Sequence, residues 1–297
     1  MKILISGASG LIGQRISTSL SSKGHQVLPL HRNTTQKFPY WNIEKKIIEL
    51  GTDGKIDIVI NLAGESIAEG RWTSEKKNRI LKSRIDGTKL IAEYFSKAKY
   101  KPKLIISGSA IGYYGNRGEE KLDECSAKGL GFLSEVCSKW EAATEIASES
   151  GIRVANIRLG MVLSPKGGAL SKMLFPFKAG LGGIIGDGKQ YMSWITINDV
   201  VEIINHIIKA KKLYGPVNLV SPEPVTNYQF TKTLGEILRR PTIFPLPAFL
   251  ANIIFGEMAK ELLLASTKVQ PGKLLKSGYA FKNPTLDGAL KTLLTAH

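Results

Sequence analysis

Three glycines near the amino terminus, Gly7, Gly10 and Gly13, have the spacing of a turn that wraps a phosphate group. A short apolar run over residues 2–5 precedes them, and apolar residues at helical spacing follow them. A buried strand that turns tightly into a helix brings backbone N–H groups and the positive end of the helix to one point, which attracts a pyrophosphate. A glycine-rich turn alone is a weak signal, but here strand, turn, helix and second strand form one βαβ unit. The segment is therefore predicted to bind a dinucleotide.

The end of the second strand bears on which dinucleotide binds. The sequence has His31 and Arg32 there, and the next acidic residue is Glu44. A carboxylate at this point would bond the 2′-hydroxyl of the adenosine ribose and repel a 2′-phosphate, whereas a guanidinium can pair with phosphate through two hydrogen bonds. We predict NADP(H) rather than NAD(H). The alternative is that Arg32 is an ordinary solvated loop arginine.

Two further segments could face the same ligand. The strand predicted over residues 56–62 runs into NLAGES, where small residues such as Gly64 would let the backbone lie along a cofactor, and where Asn61 could bond loop amides. On a long helix predicted over residues 74–98, Arg84 lies beside the apolar stripe. A buried arginine needs a partner, which could be either a structural carboxylate or the phosphates or ribose of the cofactor.

Strands and helices alternate up to about residue 160, with a helix predicted over residues 132–150. This alternation predicts an α/β fold, a Rossmann-type doubly wound parallel sheet. Residues 164–188 are rich in glycine and predict a loop-rich segment over the active face, while the chain after Pro241 is mostly apolar and predicted helical.

We therefore predict an NADP(H)-binding Rossmann domain over residues 1–160, to which further strands and helices return from about residues 195–220. Residues 161–297 are predicted to form a smaller, mostly helical C-terminal substrate lobe.

Composition narrows the class of protein. The net charge of +16 could favour nucleic acid, but the lysines are dispersed and aromatic residues do not interleave with them, so no specific nucleic-acid binding is expected. Cys125 and Cys137 give neither a disulfide framework nor metal-ligand spacing, so we expect no metal and a reduced, cytoplasmic setting.

No apolar run is long enough to span a bilayer, and the amino terminus lacks the layout of a signal peptide. The apolar stretch 245–256 is predicted to be a core or subunit-contact helix, so no membrane partner is expected.

Several segments together resemble the extended short-chain dehydrogenase/reductases: GASGLIG, NLAGES, SGSAIGYYG, IRLGMVLS and GDGKQYMSWITINDV. Within them, GRWTSEKKNRILKSRI, FLSEVCSKWEAA and GEMAKELLLASTKVQPGKLLKSGY resemble the atypical, YfcH-like group of nucleoside-diphosphate-sugar epimerase-like proteins called epimerase family proteins. The resemblance covers essentially the whole chain. It implies an NADP(H)-dependent epimerase, dehydratase or reductase that transfers hydride on a polar small molecule such as a nucleotide sugar. It leaves the oligomeric state open, although such proteins often pair as homodimers through helices of the Rossmann domain.

The resemblance and the glycine motif together give a predicted cofactor-binding set. Its members are Gly7, Ser9, Gly10, Leu11, Ile12, Gly13, His31, Arg32, Leu62, Ala63, Gly64 and Arg84.

The departure from the family pattern concerns the catalytic pair. Extended members carry Tyr-x-x-x-Lys on the helix after the SGSA strand, and the tyrosine takes a proton from a substrate hydroxyl as hydride leaves. Here those positions hold Leu133 and Cys137, neither of which can do this, and Lys139 lies about half a turn away. A second class of function stays open: a protein that holds NADP(H) and senses redox state or recruits a partner without turnover.

Other groups could supply the chemistry. Ser109 sits where the family's catalytic serine is expected, although its hydroxyl could instead cap a turn. Tyr113 and Tyr114 follow in a glycine-framed loop, where either phenol could reach a reacting carbon and one of the two could belong to the core. Trp194 could wall the substrate pocket or be a packed tryptophan.

Overall fold

A large sheet forms the centre of the molecule in the computed structural model, which describes residues 1–32, 38–51 and 55–295. The described strands are β1 (Lys2–Ser6), β2 (Gln26–Arg32), β3 (Tyr40–Asn42), β4 (Ile47–Glu49), β5 (Ile58–Asn61), β6 (Leu104–Ala110), β7 (Lys121–Leu122), β8 (Arg153–Leu159), β9 (Met161–Leu163), β10 (Tyr191–Met192), β11 (Trp194–Thr196), β12 (Gly215–Leu219), β13 (Val225–Thr226) and β14 (Lys268–Val269).

Helices cover the sheet and build most of the carboxyl-terminal part. The described α-helices are α1 (Leu11–Ser22), α2 (Ser74–Ser96), α3 (Phe132–Ala142), α4 (Glu145–Glu149), α5 (Gly168–Lys178), α6 (Ile197–Lys209), α7 (Asn227–Leu238), α8 (Ala248–Phe255), α9 (Gly272–Lys276) and α10 (Leu286–Thr295). A 3₁₀ turn spans Ile111–Tyr114, and a π-helical turn spans Ala259–Leu263.

The central sheet has the order β12-β8-β6-β5-β1-β2-β3-β4. Its neighbouring strands are parallel except for the edge pair of β3 and β4. The chain order reverses at β1, which has β2 on one side and β5 on the other, so the loops that follow these strands meet at one edge. The predicted doubly wound parallel sheet is therefore confirmed, and ligands of such sheets bind at this reversal point.

The apolar run of β1 explains why the sheet is covered on both faces. Ile3 and Ile5 point into a core shared with α1 and α6, whereas Leu4 points into the opposite core, shared with α2. Successive side chains of a strand alternate between faces, so a strand that is apolar throughout must be covered twice. Because α6 packs on α1 and β12 joins the sheet, residues 197–219 return to the amino-terminal half.

Two predicted segments differ from the structure. The helix predicted over residues 132–150 is two helices, broken at Thr144, whose hydroxyl donates to the Glu141 carbonyl and lies 3.4 Å from the side-chain oxygen of Asn156. Such local bonds compete with the regular helix. The predicted loop-rich segment 164–188 contains α5, whose apolar side chains pack with α7 and α10 in a separate core.

The apolar stretch 245–256 forms α8, but not as a core helix. Phe249 and Ile253 are each 63% exposed and Ile254 is 51% exposed, while Ala251 is buried. The core interpretation of this segment is therefore wrong, and subunit contact stays a prediction. No helix in the described part of the chain is long and apolar enough to cross a membrane.

Candidate functional site

The glycine turn after β1 is closed so tightly that side chains are excluded. Gly7 has φ +72°, and a Cβ there would lie 2.9 Å from the backbone nitrogen of Ala63. A Cβ on Gly13 would lie 2.1 Å from the Gly7 carbonyl oxygen. The turn therefore needs glycine at both positions. Turns whose backbone lies directly against a bound ligand have the same requirement.

The start of α1 leaves its amides without a side-chain cap. Helices α2, α6 and α7 begin after Thr73, Thr196 and Thr226, whose hydroxyls accept backbone N–H groups, whereas α1 begins after Gly10 and, like α3 and α5, has no N-cap side-chain hydrogen bond. Its first turn also carries no acidic residue. Ser9 and Gly10 are exposed, and Leu11 and Ile12 are half-buried beside them. Uncapped amides and the helix dipole favour an anion here, so this cradle fits the pyrophosphate of a dinucleotide.

The end of β2 lies on one side of this cradle. His31 is half-buried there and its backbone N–H donates to the Pro39 carbonyl, while Arg32 is exposed. Because Arg32 is exposed at this end of β2, its pairing with a phosphate stays a prediction.

The loop after β5 lies on the other side. Leu62 is half-buried, Ala63 is buried and Gly64 is exposed. Asn61 does not bond loop amides as expected: its side chain accepts from the Ser6 hydroxyl at 2.5 Å and donates to the Thr88 hydroxyl at 2.7 Å. It ties β1, β5 and α2 together beneath the site.

Arg84 reaches this loop from α2. Its Nη1 donates to the carbonyl oxygens of Glu65 at 3.0 Å and Ile80 at 3.1 Å, and its guanidinium lies 5.1 Å from the ring centre of Trp140. Among the described residues, no carboxylate lies within ion-pair distance of it. Of the two partners considered for Arg84, a structural carboxylate is therefore not found among the described residues.

The Ser109 side chain belongs to a buried hydrogen-bond network with Glu141 and Arg158 that the sequence did not predict. Its hydroxyl donates to Oε1 of Glu141 at 2.6 Å, and Arg158 donates to both carboxylate oxygens of Glu141 at 2.8 Å each. The Arg158 side chain is 3% exposed. A charged residue inside the apolar strand β8 was the available signal, since arginine is almost never buried without a partner.

The two adjacent tyrosines differ sharply. Tyr114 is fully buried, and its hydroxyl donates to Asn218 at 2.8 Å and accepts from Arg158 at 2.9 Å. Burial raises the pKa of Tyr114 to about 12. Tyr113 is half-buried and its ring stacks on the Arg158 guanidinium at 3.5 Å. The structure thus places Tyr114 in the core, and Tyr113 is the phenol that stays a catalytic candidate.

Helix α3 offers no replacement for the missing pair. Leu133 and Cys137 are buried, and burial raises the pKa of the Cys137 thiol to about 11, so this thiol is neutral near pH 7. Lys139 is exposed on the same helix. Glu261, from the π-helical turn Ala259–Leu263, holds the start of α3, because its carboxylate accepts the backbone N–H groups of Phe132 and Leu133.

Trp194 does not wall a pocket in the structure. It is fully buried in the core shared by α5, α7 and α10, and its indole N–H donates to the Glu223 carbonyl at 3.0 Å. The expectation of substrate contact is corrected on this point, because a side chain enclosed by its own core presents no surface to a ligand.

The sequence is similar to known families over most of its length. Residues 3–219 match the NAD dependent epimerase/dehydratase family, and residues 246–293 match a domain of unknown function, DUF1731. Epimerase family protein Mb2239 of Mycobacterium bovis is 39% identical over 290 residues, which cover 97% of this chain and 96% of that protein. Epimerase family protein YfhF of Bacillus subtilis is 37% identical over 301 residues, which cover 99% of this chain and 98% of that protein.

Solved structures agree with these matches. The crystal structure of human epimerase family protein SDR39U1 (isoform 2) with NADPH has a TM-score of 0.91 and 33% identity, and the match covers 100% of both chains. The nucleoside-diphosphate sugar epimerase of Corynebacterium glutamicum has a TM-score of 0.80 and 34% identity, and the match covers 99% of this chain and 58% of that one. The chain belongs to the NAD dependent epimerase/dehydratase family, within the atypical extended short-chain dehydrogenase/reductases.

Proposed function

We propose that this protein binds NADP(H) and uses it in hydride transfer to or from a polar small molecule, a nucleotide sugar among the candidates. The observation that carries the proposal is the uncapped start of α1 above the Gly7–Gly13 turn, at the point where the order of the sheet strands reverses. That NADPH accompanies the human relative of 33% identity supports it. When bound, the dihydronicotinamide supplies a hydride.

In this proposal, different residues of the chain bind different parts of the coenzyme. The turn amides hold the pyrophosphate, Arg32 pairs with the 2′-phosphate, and the backbone of Leu62 to Gly64 lies along the other half. Tyr113 is the proposed acid–base group, because it follows Ser109 by four residues and its ring is packed on the guanidinium of the buried Arg158. The phenol oxygen is the atom that would accept a proton from a substrate hydroxyl as hydride leaves.

Titration calorimetry with NADPH and NADH tests the binding step. We expect heat with NADPH, weaker heat with NADH, and a higher melting temperature with NADPH because a ligand that binds only the native state stabilises it. If neither coenzyme releases heat or raises the melting temperature, the proposed function is wrong.

A second function, binding NADP(H) without turnover, is favoured by one observation: Leu133 and Cys137 occupy the family's catalytic positions, and both are buried. Single-turnover oxidation of bound NADPH, measured with a panel of carbonyl compounds and nucleotide sugars, separates the two. Oxidation of bound NADPH by any compound of the panel supports the enzyme. Tight binding of NADPH without oxidation by any of them supports the sensor or partner-binding protein. For either function we propose a cytoplasmic protein, with the homodimer as one candidate assembly.

A further inference from the structure

A cavity of about 460 Å³ lies at the end of α7, in the carboxyl-terminal part of the chain. Lys232, Arg239 and Arg240 line it, and Glu236 is the one acidic residue among its described lining residues. None of these belongs to the predicted cofactor-binding set, whose members lie between positions 7 and 84. A concave surface with an excess of cations favours an anionic ligand.

The two arginines have N–H groups to spare. Arg240 donates Nε to the Lys178 carbonyl oxygen at 2.8 Å, while its Nη1 and Nη2 make no hydrogen bond to any described residue. The Arg239 side chain is exposed and makes neither a hydrogen bond nor an ion pair with the described part of the chain. Lys232 donates to the Thr242 hydroxyl at 3.2 Å. Two guanidinium groups are therefore available, and this group pairs with phosphate through two parallel hydrogen bonds.

Arg239 also has a backbone conformation that favours glycine. It is the residue after which α7 cannot continue, because its φ of +53° lies in the left-handed region. Among the described residues, Lys46 is the only other non-glycine residue with a positive φ. Glycine commonly closes a helix in this way, since a side chain strains the backbone there. No contact of the Arg239 side chain with described residues offsets this strain, whereas a ligand on its guanidinium would account for an arginine at this position.

The cavity has an apolar side as well. Pro241 and Ile243 belong to its lining, and Ile243 is 69% exposed. Its volume lies in the range of about 300–1,000 Å³ that is typical of sites for small organic molecules, and a lone phosphate ion would leave most of it unfilled. The lining therefore fits a ligand with an anionic group for the arginines and an apolar part for Ile243.

We propose that this cavity binds a small organic phosphomonoester, whose phosphate pairs with Arg239 and Arg240 and whose apolar part lies on Ile243. The Glu236 carboxylate shares the lining and has no ion-pair partner among the described residues, so it repels the phosphate and limits the affinity. The site is separate from the glycine turn before α1, and the proposal does not depend on the proposed function.

Calorimetry at constant ionic strength tests the site with phenyl phosphate, inorganic phosphate and phenol. We expect phenyl phosphate to bind most tightly, because it alone uses both the arginines and the apolar side. Arg239→Gly should raise its Kd at least about tenfold, because hydrogen bonds from a charged group are lost. The melting temperature should be kept in this variant, because glycine adopts the left-handed conformation without strain.

Three further variants sharpen the test. Arg240→Gln should weaken phenyl phosphate as Arg239→Gly does. Glu236→Gln should lower the Kd by about twofold to fivefold, because a charge that opposes the ligand at the surface is removed. Lys211→Gln removes an exposed cation outside the lining and should leave the Kd unchanged. Absence of binding to the unmodified protein would overturn the proposal. Binding that persists in both arginine variants would also overturn it, because the ligand would then lie elsewhere.

Vesicles of phosphatidylcholine and phosphatidic acid separate a free phosphomonoester from a lipid headgroup. The net charge of +16 attracts anionic vesicles without any specific site, so the unmodified protein is compared with Arg239→Gly. We expect vesicles to retain the two proteins almost equally. Retention that is lost in Arg239→Gly, together with no binding of phenyl phosphate, would overturn the assignment to a small molecule.

Discussion

The hydroxyl of Ser109 donates to the same carboxylate oxygen of Glu141 that accepts Nε of Arg158. The serine proton is therefore directed into the protein, and the lone pairs of Oγ are what Ser109 can offer to a ligand. To donate to a substrate carbonyl, Ser109 must first give up a charge-assisted hydrogen bond of 2.6 Å, and such bonds are among the stronger ones in proteins. This arrangement favours a role in orientation over one in proton donation.

Loss of the Glu141 carboxylate should destabilise the fold. Glu141→Ala leaves the Arg158 charge buried without its partner, and we expect the free energy of unfolding to fall by about 3 kcal/mol. Urea denaturation followed by circular dichroism measures it. Lys291→Ala breaks the exposed pair with Asp287 and should change the same quantity by less than about 0.5 kcal/mol. An equally small effect for both variants would contradict the view that the buried pair matters for stability.

Arg32 should decide the choice of coenzyme. In Arg32→Asp the added carboxylate repels the 2′-phosphate and can bond a 2′-hydroxyl, so NADPH should bind at least about tenfold more weakly and NADH more tightly. Calorimetry with both coenzymes measures the change. Lys291→Asp on α10 alters the net charge equally and should leave the ratio of the two Kd values as it was. An unchanged affinity for NADPH in Arg32→Asp would show that Arg32 does not contact the phosphate.

Substitution of Tyr114 should affect the stability of the protein, whereas substitution of Tyr113 should affect turnover. Tyr114→Phe removes a buried hydroxyl and leaves Oδ1 of Asn218 and Nη1 of Arg158 without their hydrogen bond to it, so stability should fall by roughly 1–3 kcal/mol. The Tyr113 hydroxyl makes no hydrogen bond to the described part of the chain, so Tyr113→Phe should keep the stability and lose the turnover of any active compound. Urea denaturation and single-turnover oxidation of NADPH measure the two effects. Full turnover in Tyr113→Phe would remove this phenol from the mechanism.

Tyr114 should also make stability depend on pH in alkaline solution. Its pKa is about 12 in the folded protein and near 10 when unfolded, so above pH 10 the unfolded chain loses a proton that the native state retains. The contribution of Tyr114 to the free energy of unfolding is fully present below pH 10 and is lost as the pH rises towards 12. Urea denaturation between pH 8 and about 11 should show a decline that is smaller in Tyr114→Phe. Identical slopes for the two proteins would argue against the raised pKa.

The sequence by itself determined the parts that depend on local chain properties. The run of Ile3, Leu4 and Ile5 required a strand covered on both faces, and glycines at positions 7 and 13 required a tight turn into a helix. These are consequences of periodicity and backbone conformation, which neighbouring residues set. The long helix predicted over residues 74–98 is α2, which ends only two residues earlier, at Ser96.

Only the tertiary structure decided how side chains distant in sequence share space. That Tyr114 lies in the core while Tyr113 does not, that Trp194 is enclosed, and that Ser109 turns to Glu141 all depend on elements brought together from distant parts of the chain. The guanidinium of Arg84 meets the loop at Gly64 for the same reason. Burial and electrostatic environment are properties of the packed whole, so residue type and spacing along the chain could not supply them.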